Sequence, residues 1–304
     1  MKTATLLLIG LGLISCHAPV EQFDGDRAFN LLQQQCDLGV RAPGTAGHAA
    51  ARELLMTFLR PLADTLFVQE FDHYIEREKE TLHLTNIIAG FQPERAKPLL
   101  LGAHWDTHPR ADHDPDPLKR LTPILGANDG ASGTAVLLHL AEILKAQSPP
   151  RAIWLVFFDG EDYGWSGNPE SYCIGSRYFA RTLPIPKPVE AIIVDMVGDA
   201  NLSLPIERNS YRSHPKLVRT LWDLAKKRGY SEFVYTLGDE IYDDHLMLIE
   251  HARIPSVDII DFQYPDRYTN YWHTTADTPD KCSPRSLKIV GQVLVDYIFT
   301  EAHE

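Results

Sequence analysis

Asp129, Asp162 and His273 are of the types that hold a catalytic zinc, offering carboxylate oxygen and imidazole nitrogen and leaving one position open for substrate. They stand in three short segments: Gly126-Ala127-Asn128-Asp129-Gly130, Asp159-Gly160-Glu161-Asp162 and Tyr271-Trp272-His273-Thr274. Singly, each has an ordinary explanation. Asp129 suits the positive end of a helix, Asp162 suits a turn after glycine, and His273 suits a satisfied core position. No packing requirement explains the set, and together they point to a zinc hydrolase or transferase. Glu161 adjoins Asp162, and neighbouring side chains leaving a strand end point in different directions. Glu161 can therefore approach a metal-bound reactant as general acid/base without ligating, its pKa tuned by partial burial and a nearby cation.

The elements that must position these residues are legible from periodicity. Apolar residues recurring at three and four predict helices over 26–35, 48–59, 131–145, 176–183, 216–228 and 245–251. Ser283 followed by Pro284 caps a last helix running to about Ala302. Residues 67–74 and 82–91 alternate like half-buried strands, and short apolar runs at 99–103, 152–158, 191–194 and 256–260 read as buried strands. Buried strands alternating with helices indicate an α/β three-layer sandwich around a mostly parallel, mixed sheet. Ligands of such sheets sit outside the carboxyl ends of the strands. His104, Glu161, Asp162 and Asp195 all closely follow apolar runs, so they should gather at one sheet edge.

At 304 residues the chain can bury one large core, and it shows no repeat or long linker. The expected organisation is a signal segment, 1–15, and one catalytic domain, 16–304. A net charge of −12 argues against nucleic acid or an anionic membrane face as partner. The apolar run from Leu6 to Ile14 is too short to span a bilayer. Leu13-Ile14-Ser15-Cys16 resembles a bacterial lipobox, with Cys16 as the lipidated residue. The expectation is an exported periplasmic or cell-envelope lipoprotein, touching the membrane only through that anchor. Cys36, Cys173 and Cys282 are odd in number, fit no metal knuckle and read as buried thiols.

His104-Trp105-Asp106, Gly126-Ala127-Asn128-Asp129-Gly130-Ala131-Ser132-Gly133, Phe157-Phe158-Asp159-Gly160-Glu161-Asp162 and Val194-Asp195-Met196-Val197-Gly198 occur in that order. Together they resemble the zinc aminopeptidase family with a phosphorylase/hydrolase-like fold. Within it the chain is similar to the glutaminyl-peptide cyclotransferases (glutaminyl cyclases), from about Leu31 onward. The segment Asp243-Asp244-His245 and Trp272 directly before His273 carry that similarity, and residues 111–126 look like the bacterial branch. The resemblance implies one zinc per chain, held by Asp129, Asp162 and His273. It implies Glu161 as proton shuttle with Asp195 and Asp243 hydrogen-bonded around it, and Trp272 lining the pocket of a substrate with N-terminal Gln. Asp162 stands where the animal enzymes have Glu. Their second pocket Trp has no secure counterpart here, Trp165 and then Trp105 being the nearest.

Two other functions compete. A two-zinc aminopeptidase would use His104 and Asp195 for a second metal with Asp129 bridging; Trp272 and the Asp243-Asp244 pair speak against it. A non-catalytic surface lipoprotein would be free to lose the acidic set, which is complete. Asp112, Asp114 and Asp116, interleaved with proline, read as a solvated loop rather than a calcium site. His108, His113, His139 and His251 have no partner that sequence can name.

Overall fold

A computed structural model of the protein describes residues 22–300. The signal segment, Cys16 and the last four residues lie outside these. Helices α1 (Gly25–Asp37) and α2 (Ala46–Leu59) precede strands β1 (Thr65–Ile75), β2 (Glu80–Phe91) and β3 (Leu99–His104). Then come α3 (Ala131–Ala146), β4 (Ile153–Phe158), α4 (Ile174–Thr182) and β5 (Glu190–Asp195). The second half adds β6 (Leu204–Ile206), α5 (Arg208–Ser213), α6 (Pro215–Lys227), β7 (Phe233–Leu237), α7 (Asp244–Met247), β8 (Ser256–Ile260) and α8 (Pro284–Thr300). A π-helical turn, Leu248–Ala252, continues α7.

The main sheet runs β1-β2-β4-β3-β5-β8. β1 and β2 pair antiparallel, as do β2 and β4, and the rest is parallel. The period of two explains why the central strands are apolar throughout. Leu99, Leu101, Ala103, Ile153, Leu155, Phe157, Ile192 and Val194 face one core with residues of α1, α2, α3, α6 and α8. Leu100, Trp154, Val156, Phe158, Ala191 and Ile193 face the other, against Phe179 and Ala180 of α4 and Leu248. Both faces being covered, no polar alternation survives.

This winding places the site. The chain leaves β3 through α3 on one face to reach β4, then crosses through α4 on the opposite face to reach β5 on the other side of β3. Crossovers on opposite faces open a crevice at the carboxyl ends of β3, β4 and β5. α3 approaches closely enough that a Cβ on Gly133 would lie 2.1 Å from the Val194 carbonyl oxygen. The sequence expectation missed β6, α5 and β7, which are too short to show a period.

Glu190 ties the far end of β5 to two helices. It accepts from Arg151 (2.7 Å) and the Tyr297 hydroxyl (2.6 Å), with His214 Nε2 at 3.2 Å. Burial opposes its charge, but His214, Tyr297 and Arg151 win and lower its pKa from 4.5 to about 2. A folded-state pKa below the unfolded one stabilises fully above the unfolded value, and that stabilisation is lost as pH falls toward the folded value. Glu190→Gln is expected to cost on the order of 2–3 kcal/mol at pH 7. In denaturant titrations the gap from the parent should narrow between pH 5 and pH 3; a gap independent of pH would contradict this account.

Candidate metal centre and active site

His104 and Asp195 are the final residues of β3 and β5, Glu161 and Asp162 follow β4, and Asp129 directly precedes the glycine that opens α3. His273 comes from the loop between β8 and α8 with φ of +52°, a left-handed conformation uncommon for a residue with a Cβ. All six are buried. His273 Nε2 lies 2.9 Å from Asp162 Oδ1 and 3.7 Å from Asp129 Oδ2. On the other side, His104 Nε2 is 3.1 Å from both Asp129 Oδ1 and Asp195 Oδ1. Asp129 thus stands between two histidines, and the strand-end residues converge as expected.

Two buried aspartates hold the ligand loops by the same device. Asp106 accepts the amides of Glu161 and Asp162, each at 3.1 Å. Asp277 accepts those of Asn128 (2.8 Å) and Asp129 (3.1 Å), and the Tyr264 hydroxyl at 2.9 Å. Gly130 has φ of +98°, and a Cβ there would lie 2.5 Å from the Asp106 carbonyl oxygen, so this turn requires glycine. Arg41, wholly buried, donates to the carbonyls of Trp105 (3.2 Å), Leu125 (3.0 Å) and Gly126 (2.8 Å). Neither Arg41 nor Asp277 stands in a segment whose local pattern marks it for such a role. Their signal is tertiary.

The electrostatics are those of a cation site. Burial and the nearby Asp162 push the Asp129 carboxyl up to about 7. Burial disfavours charge on Asp162 too, but His273 and His108 hold it below the carboxylate range. His273 itself is pushed up to about 10, burial being overcome by Asp162 and Asp112. Oδ2 of Asp129 and Oδ2 of Asp162 are buried without a hydrogen-bond partner. Unsatisfied carboxylate oxygens beside an imidazole fit a divalent metal, whose binding would displace the imidazole proton. His104, Asp129 and Asp195 make one cluster with ligand atoms within 4.8 Å of one another, and His108, Asp162 and His273 make another; Asp129 reaches the latter through His273 Nε2.

Glu161 is raised well above the ordinary carboxyl value, burial being the main cause; His104 opposes it, while Asp162, Asp244 and Asp243 add to it. Its Oε1 accepts the Cys173 thiol at 3.2 Å, and its carbonyl accepts the Cys173 amide at 2.8 Å. Asp243 and Asp244 each bring a carboxylate oxygen within 4.8 Å of both groups. Asp195 turns to His104, whose Nδ1 stands 4.0 Å from Glu161 Oε2. Asp243 occupies the N-cap position of α7 without a side-chain capping bond, and Asp244, the first residue of the helix, is wholly buried.

The residues open into a cavity of about 330 Å³. Its floor includes Asp129, Glu161, Asp162 and His273, and Trp272 and Phe262 form an apolar wall. The Trp272 ring stacks on His273 at 3.9 Å. Trp105 lies in the core, stacked on His48, and Trp165 packs between Arg77 and Arg110; neither lines this cavity. The three body cysteines are free and buried, as expected.

The solvated-loop expectation holds for Asp116, which is exposed, and is corrected for Asp114 and Asp112. Asp114 is buried and accepts the Thr275 amide (3.0 Å) and hydroxyl (2.7 Å), while Asp112 Oδ1 faces His273 Nδ1 at 3.3 Å. His108 is buried against Asp162 and His273, His113 packs on Trp272, and His139 pairs with Glu142. These partners come from distant segments, so sequence could not name them.

The model of peptidase family M28 matches residues 86–298. The chain belongs to that family. Solved structures agree along nearly its whole described length. A glutaminyl cyclase from Bacteroides thetaiotaomicron, bound to N-acetylhistamine, is 37% identical, covers 92% of this chain and 99% of its own, and superposes with a TM-score of 0.87. A Zn-dependent exopeptidase from Parabacteroides distasonis is 35% identical with the same coverage and a TM-score of 0.88. Among curated relatives, a glutaminyl-peptide cyclotransferase-like protein of Mus musculus is 24% identical across 92% of this chain and 76% of its own length. The α/β fold and zinc-peptidase ancestry expected from sequence stand. The relatives' names divide between cyclase and exopeptidase, so the site must separate the two.

Proposed function

We propose that this M28 protein cyclises the N-terminal glutamine of peptides and proteins to pyroglutamate, releasing ammonia, with one zinc held by Asp129, Asp162 and His273. The observation that carries the reading is the cavity in which Glu161 sits: it shares the floor with Asp129, Asp162 and His273, beside Asp243 and under an apolar wall of Trp272 and Phe262. A peptidase base and a cyclase base both take a proton from the nucleophile and deliver it to a leaving nitrogen. The walled cavity beside the acid, together with the 37% identity to a glutaminyl cyclase, is what favours cyclisation.

A zinc held by Asp129, Asp162 and His273 would supply Lewis-acid polarisation of the glutamine side-chain carbonyl. Trp272 and Phe262 wall the cavity and hold the side chain folded toward its own α-amine. Nucleophile and electrophile lie in one residue, so fixing that conformer supplies much of the rate enhancement. The α-nitrogen bonds to the side-chain carbonyl carbon as Glu161 takes its proton, and the bond from that carbon to the side-chain amide nitrogen breaks as Glu161 delivers the proton to this nitrogen, which leaves as ammonia. Asp243 and Asp195, the latter through His104, keep the surroundings of Glu161 charged and oriented.

The His104–Asp129–Asp195 cluster supports a second reading, a two-zinc exopeptidase. Mass spectrometry of a Gln-initiated peptide separates the two. Loss of one ammonia with every residue retained, abolished by a zinc chelator, is expected. Release of free N-terminal amino acids would overturn the proposal. The proposal includes export and a lipid at Cys16, supported by Leu13–Cys16 alone. Among the described residues no helix is long and apolar enough to cross a membrane.

A further inference from the structure

Asp112 belongs to none of the roles above, yet it touches the metal centre and the cavity rim at once. Its Oδ1 lies 3.3 Å from Nδ1 of His273 and 3.4 Å from Nε2 of His108, whose ring stacks on His273 at 3.8 Å and 12°. Its Oδ2 accepts the Ser166 hydroxyl at 2.7 Å. That hydroxyl also lies 3.0 Å from His113 Nε2, and Ser166 and His113 both form part of the cavity wall. The same stretch is stitched to the His273 loop by backbone: the His113 amide donates to the His273 carbonyl at 3.1 Å, and Asp114 accepts twice from Thr275.

We propose that Asp112 is a positioning residue for the metal ligand His273, and that Ser166 locks Asp112 in place from the opposite loop. A carboxylate at Nδ1 selects the tautomer that leaves the Nε2 lone pair for a metal and fixes the plane of the ring. His273 needs such a brace, since it comes from a loop and holds a left-handed backbone conformation, whereas Asp129 and Asp162 have Asp277 and Asp106 behind their amides. The inference rests on the single-zinc assignment of His273 but not on the reaction catalysed.

The test is zinc affinity, measured by competition with a chromophoric chelator in the absence of substrate, on full-length Asp112→Ala, Asp112→Asn and Ser166→Ala proteins. Asp112→Ala is expected to weaken zinc binding by about 10–100-fold. Asp112→Asn, which keeps an acceptor oxygen toward Nδ1, should recover part of that loss, and Ser166→Ala should weaken binding by a smaller factor. Metal-free melting temperatures should stay near the parent's. Binding within twofold of the parent for Asp112→Ala would overturn the proposal. So would equal losses in the Ala and Asn variants accompanied by lowered metal-free melting, which is the mark of general loosening. Should Asp112→Ala not fold, Ser166→Ala decides: unaltered affinity there overturns the lock. Because no substrate enters, this can fail while the protein still cyclises glutamine, and the reverse.

Discussion

Glu161→Gln is expected to lower kcat by about 10²–10⁴-fold, the usual contribution of a positioned acid/base group, while zinc stays bound. The change is nearly isosteric. Asp106 still accepts the amides of residues 161 and 162, and the Cys173 thiol still finds an acceptor oxygen, so the loop has no cause to move. What disappears is the ability to take a proton from the α-amine and return it to ammonia. Steady-state ammonia release on a Gln-initiated peptide, paired with metal analysis of the same preparation, checks both halves. Activity above a tenth of the parent's would show that another group carries the proton. Loss of zinc would show that Glu161 is a ligand and that the assignment of Asp162 is wrong.

Asp129→Ala, or stripping the parent with a chelator, is expected to remove zinc and at least about 10³-fold of the rate, since Lewis-acid polarisation contributes several kcal/mol. Asp129 is the acid that both site histidines approach, His104 at 3.1 Å and His273 at 3.7 Å. Its loss removes a ligand and a counterion together. The parent should hold one zinc per chain and the variant none. Thermal unfolding adds an independent reading: a metal bound to the folded state alone, at free concentration about a hundred times Kd, stabilises by about 2.7 kcal/mol. The parent's melting temperature should therefore rise with added zinc and the variant's should not. Two zinc ions per parent chain would favour the exopeptidase reading, with His104 and Asp195 as the further ligands.

The helices and strands that matter most for the site were legible because each is long enough to show its period and the central strands are apolar without a break. The β3, β4 and β5 runs end at or just before His104, Asp159 and Asp195, so sheet logic alone carried those side chains to one edge. That Trp272 lines a pocket was implied by the resemblance to the glutaminyl cyclases, and it does wall the cavity. Asp195 illustrates the limit: it belongs to the cluster, yet its direct partner is His104, and no spacing along the chain could distinguish that from a bond to Glu161. Asp112 illustrates it further. Among prolines and other acids it has the composition of a solvated turn, and it is the approach of residues 166 and 273 that gives it a hydrogen bond on one oxygen and an imidazole 3.3 Å from the other.

Sequence by itself determined the residue chemistry, the alternation of elements and hence the edge where ligands collect, because these depend on covalent identity and on periods of two and 3.6 residues. The tertiary structure decided which carboxylate faces which imidazole and which acids brace loops from behind. It also decided how far Glu161 is withdrawn from water. Most of those contacts join segments far apart in the chain, through burial and Coulomb interaction over three to four ångströms, and no local pattern in the chain encodes such distances.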